Sequence, residues 1–78
     1  MSCETVIYEI EAINDNDVLL KYKQSVCGYD FLEYLPFGVE PDYNRIKPKE
    51  LIKAFKGSKR TLDFDINIDK DYVIDVSY

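Results

Sequence analysis

The chain has 78 residues, 46% of them apolar, with eleven aromatics, no histidine and a net charge of −5. Length and composition describe one domain, 1–78, near the lower size limit for independent folding, and exclude a disordered chain. Apolar runs never exceed three residues (Val6-Ile7-Tyr8, Val18-Leu19-Leu20 and Tyr72-Val73-Ile74), which excludes a membrane-spanning helix and a signal peptide and points to a soluble, cytoplasmic protein.

From Thr5 to Ile13 polarity alternates with a period of two. Val6, Tyr8, Ile10 and Ala12 fall on one side and Glu9 and Glu11 on the other, the pattern of a half-buried strand. Asn14-Asp15-Asn16-Asp17 is a turn cluster, after which Val18, Leu20 and Tyr22 alternate with Lys21 and Lys23, completing a hairpin. Placing both even-numbered sets on one face requires an odd loop, about three residues with a bulge. Two registers satisfy this. One sets Glu9 opposite Lys23 and Glu11 opposite Lys21; the other sets Glu9 opposite Lys21 and brings Cys3 opposite Cys27. Opposed charges contribute ~0.2–1 kcal/mol per pair. In a cytoplasmic chain both thiols are expected to stay reduced.

Residues 28–46 break the alternation with Gly28, Pro36, Gly38 and Pro41, and crowd in Tyr29, Phe31, Tyr34, Phe37 and Tyr43. This is an aromatic loop with room for a short helical turn, Asp30 capping and Glu33 at the third helical position, ending before Pro36. Lys47-Pro48 opens the main helix, which runs over about 47–56 through Leu51, Ile52 and Phe55 and stops at Gly57.

Arg60 to Ile68 alternates again, with Leu62, Phe64, Ile66 and Ile68 on the even side and Asp63, Asp65 and Asn67 on the odd. After Asp69-Lys70-Asp71 the last run puts Tyr72, Ile74, Val76 and Tyr78 on even positions. A second hairpin follows, in the register that pairs Ile68 with Ile74 and keeps Asp65 from facing Asp75. The expected fold is α+β: a ββαββ order, with a four-stranded antiparallel sheet of two hairpins and one main helix covering the even-numbered face. Ile7, Ile13, Leu19 and Val73 are left on the other face, to be covered by the aromatic loop or by a second copy of the chain.

Charge is segregated along the chain. Residues 45–60 hold seven of the ten basic side chains and a single acid, Glu50, for a charge of +6, while the remainder carries −11. The following stretch brings Asp63, Asp65, Asp69, Asp71 and Asp75 against one lysine, Lys70. The pattern approaches a calcium loop but lacks its chemistry: Ile68 stands where the loop needs glycine and Ile74 where it needs the bidentate glutamate. Alternate residues of a strand lie about 6.6–6.8 Å apart on one face, so the aspartates form a ladder able to imitate a line of phosphates. Such a row must stay solvated, because carboxylates ~7 Å apart repel by ~0.6 kcal/mol in water and more at lower dielectric.

Chemistry beyond binding finds little support. Without histidine there is no Ser–His or Cys–His pair, and two cysteines cannot build a four-ligand zinc site, so neither a metal nor a cofactor is expected. Neither a P-loop nor a GxGxxG motif is present, and the carboxylates fall on exposed strands. The composition resembles that of small phage-encoded or mobile-element inhibitors: short, acidic, histidine-free and rich in Tyr, Asn, Asp and Lys. The leading expectation is a non-enzymatic acidic binding protein, an inhibitor acting as a DNA mimic that occupies the basic surface of a nucleic-acid-binding host protein. Its partner-binding residues would be Asp63, Asp65, Asp69, Asp71 and Asp75 with Tyr34 and Phe37. The alternatives are a homo-oligomeric module binding an anionic ligand or nucleic acid through Lys49, Lys53, Lys56 and Lys59, and an assembly subunit using the aromatic loop. Acid on one sheet face and base on the helix opposite is the expected geometry.

Overall fold

A computed structural model of the chain describes residues 3–36 and 43–77. Its elements are β1 (Glu4–Ile13), β2 (Val18–Cys27), α1 (Tyr29–Leu32), β3 (Tyr43–Ile46), α2 (Pro48–Ser58) and β4 (Tyr72–Ser77). The strands form one antiparallel sheet in the order β2-β1-β4-β3. The α+β class, the four-stranded antiparallel sheet and the main helix are as expected, with one strand drawn from a different segment. β3 lies within the stretch read as an aromatic loop, while Arg60–Ile68, read as a strand, is irregular. The cause is the position of β4, which is flanked by β1 on one side and β3 on the other and has no edge left for a hairpin partner. Asn67 turns the chain just ahead of β4: its side-chain Oδ1 accepts from the Asp69 N–H at 2.9 Å and its carbonyl from the Lys70 N–H at 3.1 Å.

One face of the sheet carries the core. Cys3, Thr5 and Ile7, then Val26, Ile46, Tyr72, Ile74 and Val76 are all buried there, against Phe31, Leu32 and Leu35 from the α1 region and Leu51, Ala54 and Phe55 from α2. The Phe31 and Phe55 rings meet edge to face at 5.0 Å. For β4 the even-numbered side is inward, as expected. For β1 the parity is reversed: Thr5 and Ile7 face the helices, and Val6 and Tyr8 face away. Both sides of Val6-Ile7-Tyr8 are apolar, so the alternation there rests on Glu9 and Glu11. Glu9 is tolerated on the inner side because it sits at the rim of the core, where the Tyr72 hydroxyl donates to its Oε2 at 3.0 Å and Lys23 Nζ lies 3.9 Å from the same oxygen.

The first hairpin also departs from an even ladder. Its loop has four residues, Asn14–Asp17, closed by the Asn14 N–H donating to the Asp17 carbonyl at 2.8 Å. Irregularities between Ile7 and Tyr8 and between Ile10 and Ala12 shift the register twice. Between them Glu9 stands opposite Lys21, one of the two expected pairings, yet the ion pairs are diagonal, Lys23 with Glu9 and Lys21 with Glu11. The shift puts Cys27 opposite Glu4 rather than Cys3, and both thiols are free, Cys3 buried and Cys27 exposed.

α2 continues through Gly57 to Ser58, and Lys59, at φ 59°, takes the left-handed cap position expected of the glycine. Gly57 has another task. A Cβ there would lie 2.4 Å from the Tyr34 ring, so its bare backbone lets the ring lie against the helix. At α1 the cap position is Gly28, φ 109°, and Asp30 sits inside the first turn without capping it.

Candidate binding surfaces

Within Arg60–Ile68 the alternation survives over 63–67 alone and without joining the sheet, since Leu62 and Ile68, expected inward, are exposed. Phe64 and Ile66 are half-buried against the core, whereas Asp63, Asp65, Asn67 and Asp69 are exposed. Two side chains hold the segment in place. Gln24, 9% exposed on the core side of β2, donates from Nε2 to the Thr61 carbonyl at 2.8 Å and accepts from the Asp63 N–H at 2.9 Å. A primary amide offers one donor and one acceptor side by side, so Gln24 stands in for a strand backbone. Farther along, the fully buried Tyr72 accepts from the Asn67 N–H at 2.7 Å through its hydroxyl. Between these clamps Phe64 packs near the Tyr72 ring, with centroids 6.1 Å apart, and Lys23 Nζ lies 6.0 Å from the Phe64 centroid. Burial pushes the Tyr72 phenol upward, reinforced by the Glu9 carboxylate it donates to.

Asp63, Asp65 and Asp69 take part in no ion pair among the described residues. The other two aspartates leave the row. Asp71 pairs with Arg45 Nη2 at 2.7 Å and Lys47 Nζ at 3.3 Å, and the Arg45 hydrogen bond, then that of Lys47, holds its carboxyl below the usual carboxylate range. Asp75 stands opposite Val6 on the sheet face away from the helices. The 61–68 segment lies on the helix side, because its anchors Gln24 and Tyr72 point there. The expectation that Asp63, Asp65 and Asp75 share the uncovered face, with the lysines across the core, is therefore wrong: the aspartate row and α2 flank one another on the same side of the sheet. The error follows from reading 60–68 as a strand.

On α2, Lys49, Lys53 and Lys56 recur at the i, i+4, i+7 spacing of one helix face, opposite Leu51, Ala54 and Phe55, and all three are exposed, as is Lys59. None of the four is ion-paired among the described residues. Arg60, by contrast, is held by Asp30, with Nε donating to Oδ2 at 3.1 Å and Nη2 to Oδ1. That hydrogen bond lowers the Asp30 carboxyl and raises the guanidinium. Tyr34, 48% exposed, rests on Gly57. Phe37 lies outside the described residues.

Open surface grooves flank these rows. One of about 400 Å³, lined by Gln24, Ser25, Lys59, Arg60, Thr61 and Asp63 among others, runs between the β2 edge and the start of the 61–68 segment. Another, about 330 Å³, is the apolar crease of Ile52, Phe55 and Leu62 rimmed by Lys56, Lys59 and Arg60. Among the described residues no group of three or more His, Cys, Asp or Glu side chains is placed to hold a metal ion, and no helix is long and apolar enough to cross a membrane.

Sequence reasoning missed Gln24 and Tyr72 as the residues that position the aspartate row. A signal existed for Gln24, an uncharged polar residue on the even side of a strand whose neighbour at that spacing, Val26, is core. Compared with known protein families, curated proteins and solved structures, the chain matches none.

Proposed function

We propose that this protein is a non-catalytic binding module that occupies the basic surface of a nucleic-acid-binding partner with its aspartate row. The observation that carries the reading is the combination in one short segment of Asp63, Asp65 and Asp69, exposed and without an ion pair among the described residues, with two buried clamps, Gln24 and Tyr72. Ordering the segment in advance removes part of the entropic cost of binding. The chain's net charge of −5 steers it toward cationic surfaces. The row is shorter than the sequence pattern implies, because Asp71 is neutralised by Arg45 and Lys47 and Asp75 is on the other face. Given a composition resembling small phage-encoded inhibitors, the partner class proposed is a cytoplasmic host protein that normally binds DNA or RNA. Immobilised protein should retain such a partner from host lysate, and duplex DNA or RNA should displace it. Asp63→Asn/Asp65→Asn/Asp69→Asn should weaken capture by tenfold or more. Capture that neither nucleic acid nor the triple substitution disturbs would refute the reading.

A second reading is favoured by a separate observation, the exposed lysine stripe of α2, which makes no ion pair among the described residues. On that reading the helix contacts an anion, and the purified protein retards DNA or RNA in a gel, with Lys53→Ala/Lys56→Ala abolishing the shift. The clamped segment gives the first reading the better case, since α2 lysines at this spacing also serve as an ordinary solvated helix face.

A further inference from the structure

Both helices and the 61–68 segment lie on one side of the sheet, and a continuous row crosses all four strands on the other. Tyr22 of β2 stands opposite Tyr8 of β1, Tyr8 opposite Val73 of β4, and Val73 opposite Arg45 of β3. Val6 and Ile10 neighbour Tyr8 on the same side of β1, and Leu20 faces Ile10. Tyr22 is 57% exposed and meets Tyr8 edge to face at 6.3 Å, while Val6, Tyr8, Leu20 and Val73 are half-buried. Glu4, Ser25, Asp75 and Arg45 surround this apolar centre. An antiparallel sheet with one wetted face ordinarily turns polar side chains outward. Here the outward centre is apolar and aromatic with a polar rim, the anatomy of a protein interface. The sequence pattern assigns Tyr8 and Tyr22 to the core; the reversed parity of β1 puts Tyr8 here, and the register shift between Ile7 and Tyr8 brings Tyr22 opposite it although Gln24 and Val26 of β2 face the core.

We propose that a second copy of the chain packs on this face, sheet against sheet, about a two-fold axis that runs along the strands. The row is self-complementary under that operation. β2 of one protomer crosses over β3 of the other, so Arg45 meets the partner's Tyr22 in cation–π contact and Val73 meets the partner's Tyr8. A two-fold axis across the strands would instead set Arg45 against the partner's Arg45. Four strands spaced ~4.8 Å apart, with about six residues each on β1, β2 and β4 and the four of β3, give a face of about 350 Å² in projection, so the pair buries on the order of 1,000 Å² in total. That is the lower bound of a specific interface and implies a micromolar or weaker dimer. A nucleic acid is a poorer occupant, because Glu4 and Asp75 outnumber Arg45 among the charges that the pairing places on this face. A small domain with a thin core also gains from covering its second face.

Sedimentation equilibrium between about 5 and 500 µM tests this, a range chosen to bracket a micromolar constant. The full chain should pass from monomer to dimer across it. Tyr22→Lys should weaken association at least tenfold while leaving the circular dichroism spectrum unchanged, since Tyr22 contributes no buried core. Tyr22→Ser serves the same purpose should the lysine disturb folding. Asp63→Asn/Asp65→Asn/Asp69→Asn should leave the dimer intact, so failure of the aspartate-row reading and failure of this one are separable. A monomer at every concentration, or a dimer indifferent to both Tyr22 substitutions, would overturn the proposal.

Discussion

The side chain of Gln24 pairs with the backbone around Asp63 as a neighbouring strand would, donating to the Thr61 carbonyl at 2.8 Å and accepting from the Asp63 N–H at 2.9 Å. One buried amide thereby replaces a missing stretch of ladder and fixes where the aspartate row begins. Gln24→Leu keeps the volume and removes both bonds, leaving the Thr61 carbonyl and Asp63 N–H to find water. It should cost about 1–3 kcal/mol, most of it from part-buried backbone groups left without a partner. Urea denaturation measures the loss, and amide exchange at Asp63 should accelerate more than exchange in β4. Equal acceleration everywhere would mean that the clamp is not local.

Tyr72 links three segments through one hydroxyl, which accepts from Asn67 and donates to Glu9. Burial raises its pKa above the unfolded value of about 10, so its contribution is complete below pH ~10 and is lost as pH rises through the folded pKa. Tyr72→Phe should destabilise the protein by ~1–2 kcal/mol at neutral pH. The gap between wild type and variant should then shrink in alkali. A gap that stays constant to the highest workable pH would show that the phenol does not titrate with unfolding.

Thr5 is fully buried, and its Oγ1 has no hydrogen-bond partner among the described residues. Valine is close in shape and has no hydroxyl to desolvate. Thr5→Val should therefore raise stability by about 1 kcal/mol, read as a higher melting temperature with unchanged cooperativity. Destabilisation would indicate that the hydroxyl is bonded.

Gly57 and Tyr34 should behave as a coupled pair. Alanine is the better helix former by about 1 kcal/mol, yet its Cβ would enter the Tyr34 ring, 2.4 Å from Cδ1. Gly57→Ala alone should be destabilising. In a Tyr34→Ala background the same substitution should stabilise by up to ~1 kcal/mol, and a double-mutant cycle reports the difference. Additive effects would show that Tyr34 does not rest on the helix.

The class of fold is legible in the sequence because the signals involved are local. The hairpin turn, the proline-led helix and the last strand, with Tyr72, Ile74 and Val76 inward, each announce themselves within a dozen residues or fewer. Two features are not legible. Val6-Ile7-Tyr8 is apolar on both sides, so which side is core depends on pairing with β4, a contact of long sequence separation. Likewise Asp63–Ile68 has the period of a strand, but the place beside β4 is taken by β3, whose Tyr43–Ile46 is short and follows a Pro- and Gly-containing stretch. The candidate aspartates stand out by charge pattern alone, and Asp63, Asp65 and Asp69 are exposed and outside any ion pair among the described residues. The lysine stripe of α2 is legible because helical periodicity alone sets it.

If Asp63, Asp65 and Asp69 form the binding row, the salt dependence of partner binding is the most direct test. With the captured partner immobilised, affinity for the wild-type chain should fall steeply as ionic strength rises, since exposed charge pairs are screened beyond about 8–10 Å at physiological salt. Asp63→Asn/Asp65→Asn/Asp69→Asn should bind at least tenfold more weakly at low salt and show a much flatter dependence. Equal affinity and an equal salt slope for the two proteins would contradict a role for the row in binding.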